Sequence, residues 1–227
     1  SIVTIDLSIN YTNSNIDTVI TCDSYVWNGV TYDTSGIYYI GGSSNNYSMN
    51  FDGLDDYVNL NSNPSFAPTT SSDFTISIWV NPTISQEGMI VSQYENIVPT
   101  NSNYFLAINS NNTFRVAGDG TNYYDFGSAS IGSWQYVSLV FHSTGSVDTY
   151  IDGVFTGSSV LNLLNFVSSM PLEVGDIFTG GCVGCIEPFN GLVDNIETWD
   201  IALSSTEIQD NMICSPVGNE NNLIGYW

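Results

Sequence analysis

Apolar residues recur along this chain with a period of two, in short runs broken by Gly, Asn, Asp and Ser. That rhythm specifies strands joined by turns. Ser1 to Asn10 alternates apolar and polar residues, and Ile16 to Ile20 and Gly36 to Ile40 read as further short strands. Tyr25 to Tyr32 turns at Trp27-Asn28-Gly29-Val30, where Asn-Gly favours the two-residue hairpin loop. Phe74, Ile76, Ile78 and Val80 share one face of a strand while Trp79 lies on the other, so both faces are expected to be covered. Trp134 to Phe141 is a nearly continuous apolar strand, Asp148 to Phe155 is a hairpin turning at Asp152-Gly153, and Gly191 to Trp199 is the last long strand. Ser204 with Glu207 three residues on forms a capping box, which predicts one short helix running to about Met212. Many short strands with frequent turns build a sandwich, so the fold class is all-β.

With 227 residues, 42% of them hydrophobic, the chain holds one sandwich core and a small additional piece. Its 14 Tyr, 11 Phe and 5 Trp suit pleated strands. The charge is far from balanced: 23 acidic residues face one arginine, one histidine and no lysine, for a net −22. Such a chain cannot neutralise phosphates, which excludes nucleic acid, and an anionic membrane repels it. The charge serves solubility or life in salty water, or divalent cations neutralise part of it, since calcium prefers clustered oxygen ligands; both hold together. Without lysine no Schiff base or lysine general base exists. A Ser-His-Asp triad would have to centre on His142, which sits between a strand end and a turn, a placement that argues against catalysis.

Four cysteines in an acidic, Asn-rich chain fit an oxidising, extracellular setting. Cys182 and Cys185 form a C-x-x-C, but Ile186-Glu187-Pro188 follows where a redox motif needs a helix, and a zinc knuckle needs two further nearby ligands. A short local disulfide is the favoured reading, with Cys22 and Cys214 as the remaining pair; three connectivities are open. No run approaches the roughly 20 apolar residues of a membrane span. Starting at Ser1, the chain reads as a mature or excised piece.

Five segments resemble the laminin-G/pentraxin-like family of concanavalin-type jelly rolls. They are Met49-Asn50-Phe51-Asp52-Gly53-Leu54-Asp55-Asp56-Tyr57-Val58, Phe74-Thr75-Ile76-Ser77-Ile78-Trp79-Val80, Tyr150-Ile151-Asp152-Gly153, Phe189 to Ile196, and Ala202 to Ile208. One such segment alone specifies little; five in order over about 47–210 carry the resemblance. It implies an antiparallel jelly-roll sandwich. Cys22 to Tyr32 resembles the opening of a short repeat of giant secreted bacterial surface proteins, and Ser1 to Leu7 resembles its closing strand. Gly218 to Trp227 resembles the first strand of another laminin-G-like domain, so the parent gene is expected to continue on both sides, with Cys-Asp before Ser1. The domain reading is thus 1–45 as a partial β-repeat and junction, 46–212 as the jelly roll, and 213–227 as linker and following strand.

In that family a calcium ion often ties the early Phe-Asp-Gly loop to the last long strand. Carried onto this sequence, the ligands are Asp52, Asp55 and Asp56 in the loop and Asp194 in the strand, with Asp176 a weaker candidate. Three carboxylates within five residues repel unless a cation lies between them, and Asp194 sits between apolar Val193 and Ile196. A sugar site needs exposed aromatics beside polar groups, because sugar C–H faces stack on rings while hydroxyls take directional hydrogen bonds. Tyr94, Tyr104 and the segment from Asp119 to Asp125, with Asn122, Tyr123 and Tyr124, are the candidates; the alternative is that these tyrosines pad the sandwich rim.

Related folds include β-glucan hydrolases with acidic residues alternating along one strand. Retaining hydrolysis needs two carboxylates about 5 Å apart. In Leu192-Val193-Asp194-Asn195-Ile196-Glu197 a leucine stands where the first glutamate should be, so the nucleophile is missing. The expectation is a non-catalytic, calcium-stabilised adhesion or ligand-binding module of a large bacterial surface protein. Its partners would be a glycan or protein on another surface and the neighbouring domains of its own chain. The alternatives are a carbohydrate-binding module attached to a polysaccharide-degrading enzyme, and a spacer or filament segment without a ligand.

Overall fold

The computed structural model describes the backbone of five strands within residues 1–45, then residues 48–62, 66, 72–94, 102–118, 122–161, 171–176 and 188–227. The chain divides into two compact units, Ser1–Asn45 and Asn46–Trp227. In the first, β1 (Val3–Ile9) pairs antiparallel with β2 (Asn15–Thr21) and parallel with β5 (Gly36–Tyr38). β3 (Tyr25–Trp27) and β4 (Val30–Tyr32) pair with Trp27 opposite Val30, as a two-residue Asn-Gly loop demands.

The second unit is a sandwich of two antiparallel sheets, as the strand rhythm predicts. Its strands are β6 (Met49–Asp52), β7 (Val58–Ser62), β8 (Phe74–Pro82), β9 (Gly88–Tyr94), β10 (Ser102–Ile108), β11 (Thr113–Ala117), β12 (Tyr123–Ser128), β13 (Gln135–Phe141), β14 (Ser146–Ile151), β15 (Val154–Val160), β16 (Pro171–Val174), β17 (Asn190–Trp199) and β18 (Leu223–Tyr226). One sheet runs β12-β11-β10-β9-β16-β7; the other runs β15-β14-β13-β8-β17-β18, with β6 also on β17. Alternation sends Phe74, Ile76, Ile78 and Val80 into the core between the sheets, where they meet Val137, Leu139 and Phe141. Trp79 packs on the opposite face, against a second cluster of Tyr136, Val140, Tyr150, Trp199, Leu203 and Ile208. That cluster is closed by α1 (Ser205–Ile213), whose one buried residue is Ile208. Both arms of the capping box at Ser204 and Glu207 are formed, which satisfies backbone N–H groups the helix itself leaves unpaired. No described helix is long and apolar enough to cross a membrane.

β17 organises one edge of its sheet. Its first part pairs with β6, Asn190 opposite Asp52 and Val193 opposite Met49. Its last part pairs with β18, Glu197 opposite Tyr226. Between them the register with β8 shifts from Asp194 to Glu197, and Asn195 takes a positive φ of 45°. Ile196 and Trp227 exchange both backbone hydrogen bonds, at 2.9 and 3.1 Å. The segment read as opening a following domain therefore lies in the same sheet as the last long strand.

Candidate functional site

Two surfaces carry the polar chemistry. The first is the loop after β6. Gly53, at φ +79°, reverses the chain. The Leu54 N–H donates to Asp52 Oδ1 at 2.8 Å, and the Asp52 N–H donates to Asp56 Oδ2 at 3.1 Å, closing the loop on itself. As a result one oxygen from each of Asp52, Asp55 and Asp56 lies within 4.8 Å of the others, all exposed. The loop is held from β17 by Asn190, whose side-chain N–H donates to the Asp52 carbonyl while its amide oxygen accepts from the Thr83 hydroxyl. A Cβ on Gly53 would stand 2.9 Å from Asn190 Cβ, so only glycine fits this seat. Hard carboxylate oxygens, most with lone pairs to spare, are the donor set calcium takes.

Asp194 is not part of that cluster. The strand residue that meets the loop is Asn190, opposite Asp52; Asp194 lies four positions further along, opposite Trp79. Burial raises the Asp194 carboxyl above its ordinary range, and the Asn195 N–H donates to it at 2.9 Å. Sequence reasoning missed Asn190 because its role depends on pairing with a residue 138 positions away. Asp176 follows β16 and lends its carbonyl to the Ser92 hydroxyl at 3.1 Å.

The second surface is the outer face of the six-stranded sheet. Cross-strand register sets Ala107, Arg115 and Asp125 in one row and Phe105, Ala117 and Tyr123 in the next. Arg115 grips Asp125 with two hydrogen bonds, Nε to Oδ1 at 2.6 Å and Nη2 to Oδ2 at 2.9 Å. Asn109 adds a third to Oδ2 at 2.9 Å. These bonds hold the Asp125 carboxyl below the usual carboxylate range and raise Arg115, so the pair stays ionised. The guanidinium carbon lies 5.0 Å from the centroid of the Tyr123 ring, which is 52% exposed. Phe105 packs beside it at 6.1 Å.

The other tyrosine candidates fare differently. Tyr104 is a correction: it is wholly buried, packs against Phe74 and Phe141, and donates its hydroxyl to the Phe66 carbonyl at 3.2 Å. Alternation turns it inward, where no sugar reaches it. Tyr124 likewise points away from Tyr123, stacking on Phe126 against the core. Asn122 is half-buried just before β12. Tyr94 ends β9, with its side chain outside the described residues, as is all of Asp119. Asp125 closes the candidate segment, whereas Arg115 and Asn109 were missed, although Arg115, flanked by apolar Phe114 and Val116, carries the signal of an outward position.

Cys214 is exposed with a free thiol, against the expected bond to Cys22. It caps the C-terminal end of α1, its N–H bonded to the Asp210 carbonyl at 2.8 Å, and faces solvent. Cys22, Cys182 and Cys185 lie outside the described residues. His142 Nε2 stands 3.0 Å from Asp148 Oδ2 at the β13–β14 turn.

Among solved structures, the chain is similar to a putative carbohydrate binding protein from Bacteroides ovatus, at 18% identity and a TM-score of 0.60, covering 79% of this chain and 50% of that one. It therefore spans half the length of that protein. A heptameric SAP-like pentraxin from Limulus polyphemus matches at 16% identity and TM-score 0.58, covering 79% and 90%. Domain 4 of an extracellular arabinanase from Geobacillus stearothermophilus, solved with arabinotriose, matches at 16% and 0.51, covering 81% and 84%. At these identities the likeness is one of fold. No curated protein matches the sequence. A family model for the concanavalin A-like lectin/glucanases superfamily of laminin-G type matches residues 51–209, well over half of the chain and spanning both the acidic loop and the Tyr123 face, and the chain belongs to that family.

Proposed function

We propose that this chain is a non-catalytic glycan-binding module, extracellular and calcium-stabilised, working within a larger surface protein. The observation that carries the reading is the Tyr123 face: a half-exposed ring beside Arg115 and Asp125, whose positions are fixed by mutual hydrogen bonds. Such a surface offers a stacking platform and rigid donors and acceptors, the two things a sugar needs. The solved relatives named for carbohydrate binding, or solved with a sugar, lend the fold-level precedent.

Asp52, Asp55 and Asp56 would hold the calcium, and Asn190 would anchor their loop to β17. The ion would supply charge neutralisation and rigidity to the loop. Catalysis is disfavoured by the geometry of β17. Glu197 is sealed beneath Tyr136 and Trp199, and the bulge separates it from Asp194.

A glycan array probed with this chain in calcium and in EDTA tests the reading. Binding that Tyr123→Ala abolishes while the protein stays folded supports it. Absence of binding to any glycan in both arms sinks it and favours a protein ligand or a spacer.

A further inference from the structure

Only two side chains of the whole chain can carry positive charge near neutral pH, one arginine and one histidine, against 23 acidic residues. Both are already engaged by aspartates. Arg115 spends its Nε–Nη2 edge on the two oxygens of Asp125, and His142 Nε2 lies 3.0 Å from Asp148 Oδ2. Glu87 lies close enough to Arg115 to add a further favourable charge, and is itself held by the Ser110 N–H at 3.1 Å.

We propose that the Tyr123 face selects uncharged saccharides and rejects glycans bearing carboxylate, sulfate or phosphate groups; this rests on the glycan-binding reading above. Recognition of an anionic substituent uses a planar bidentate donor, and the Nε–Nη2 edge of the guanidinium is occupied. An incoming anion would have to displace Asp125 from a pair fastened also by Asn109, leaving that carboxylate without its cation. It would do so against the field of a chain carrying net −22.

A neutral sugar meets none of these obstacles. Its C–H face stacks on Tyr123, its hydroxyls donate to the remaining lone pairs of Asp125, and they accept from the guanidinium N–H groups that Asp125 leaves unused. The ion pair thus serves as a rigid donor–acceptor plane with almost no net charge. That is a specificity device: it keeps the hydrogen-bonding capacity of charged groups and discards their attraction for anions.

The test is a set of neutral oligosaccharides and their sialylated or sulfated counterparts, bound in EDTA to exclude cation bridging. The proteins are wild type, Asp125→Asn and Tyr123→Ala, each checked by thermal unfolding. Wild type is expected to prefer the neutral member of each pair by at least about tenfold. Asp125→Asn uncovers the guanidinium charge, so it should narrow or reverse that ratio, with its new binding of charged members weakening as salt rises. Equal or tighter wild-type binding of the charged members, lost in Tyr123→Ala, overturns this inference alone. A neutral preference unmoved in folded Asp125→Asn overturns the masking mechanism. If Asp125→Asn does not fold, the wild-type ratio decides. Binding of neither class in EDTA, nor of any glycan when the panel is repeated in calcium, overturns the glycan reading and this inference together.

Discussion

Tyr136 on β13 donates its phenol O–H to Glu197 Oε2 on β17 across 3.1 Å, and both residues are wholly buried. Trp199 Nε1 donates to the same oxygen at 3.3 Å. Glu197 Oε1 has no hydrogen-bond partner among the described residues. Burial pushes the Glu197 carboxyl from 4.5 up to about 8, against the two donors, which favour its charged form. At neutral pH this acid is protonated.

A folded-state value above the unfolded one means the native protein holds a proton that the unfolded chain has lost. The stability this confers is complete below about pH 4.5, declines as pH rises, and is gone above about 8. Glu197→Gln is expected to flatten that decline and to be the more stable protein at pH 8.5, by no more than about 5 kcal/mol. Urea unfolding of both proteins from pH 4.5 to 9 checks it. A constant difference across that range would mean that Glu197 ionises normally in the fold.

Calcium should invert the effect of one substitution. Asp52 and Asp56 accept loop N–H groups, whereas Asp55 contributes charge to the cluster. In EDTA, Asp55→Asn relieves repulsion and is expected to stabilise by a few tenths of a kcal/mol. In calcium it removes a ligand, so the wild type becomes the more stable, by about 2 to 3 kcal/mol at a hundredfold excess over Kd. Thermal unfolding with and without calcium reads the crossing. Asp55→Asn the more stable in both arms would argue that the loop holds no ion.

Tyr104 and Tyr123 should separate stability from binding. Tyr104→Phe deletes the hydroxyl bonded to the Phe66 carbonyl and is expected to cost about 1 kcal/mol with glycan binding unchanged. Tyr123→Ala is expected to cost under about 1 kcal/mol and to reduce binding at least tenfold. Denaturant unfolding and titration of any array hit measure the two effects side by side.

The C-terminal strand is expected to be integral to the sandwich. Trp227 packs edge-on against buried Phe66, with ring centroids 5.3 Å apart, while its backbone pairs with Ile196. Trp227→Ala should cost about 1 to 3 kcal/mol. Removing residues 223–227 should cost more and promote self-association through the vacated edge of β17. Unfolding midpoints and size-exclusion chromatography test both; an unchanged midpoint would show that β18 contributes nothing.

Much of the fold was legible because strand periodicity is a local property. Phe74, Ile76, Ile78 and Val80 enter the core and Trp79 the outer cluster as alternation predicts, and Ser204 with Glu207 starts the helix. Adjacent Tyr123 and Tyr124 had to face opposite ways, but alternation does not say which faces the core. That was decided by the register of β12 on β11 and by the second sheet covering Tyr124. The same pairing set Arg115 opposite Asp125 and Asn190, not Asp194, opposite Asp52.

The sequence alone determined that this chain is a two-layer β-sandwich with an acidic loop and almost no positive charge. The tertiary structure decided which acids meet, which tyrosine is open and what holds the arginine. The division is physical: alternation and turn chemistry act between neighbours in the chain, whereas a site is made by residues brought opposite one another when the whole core closes.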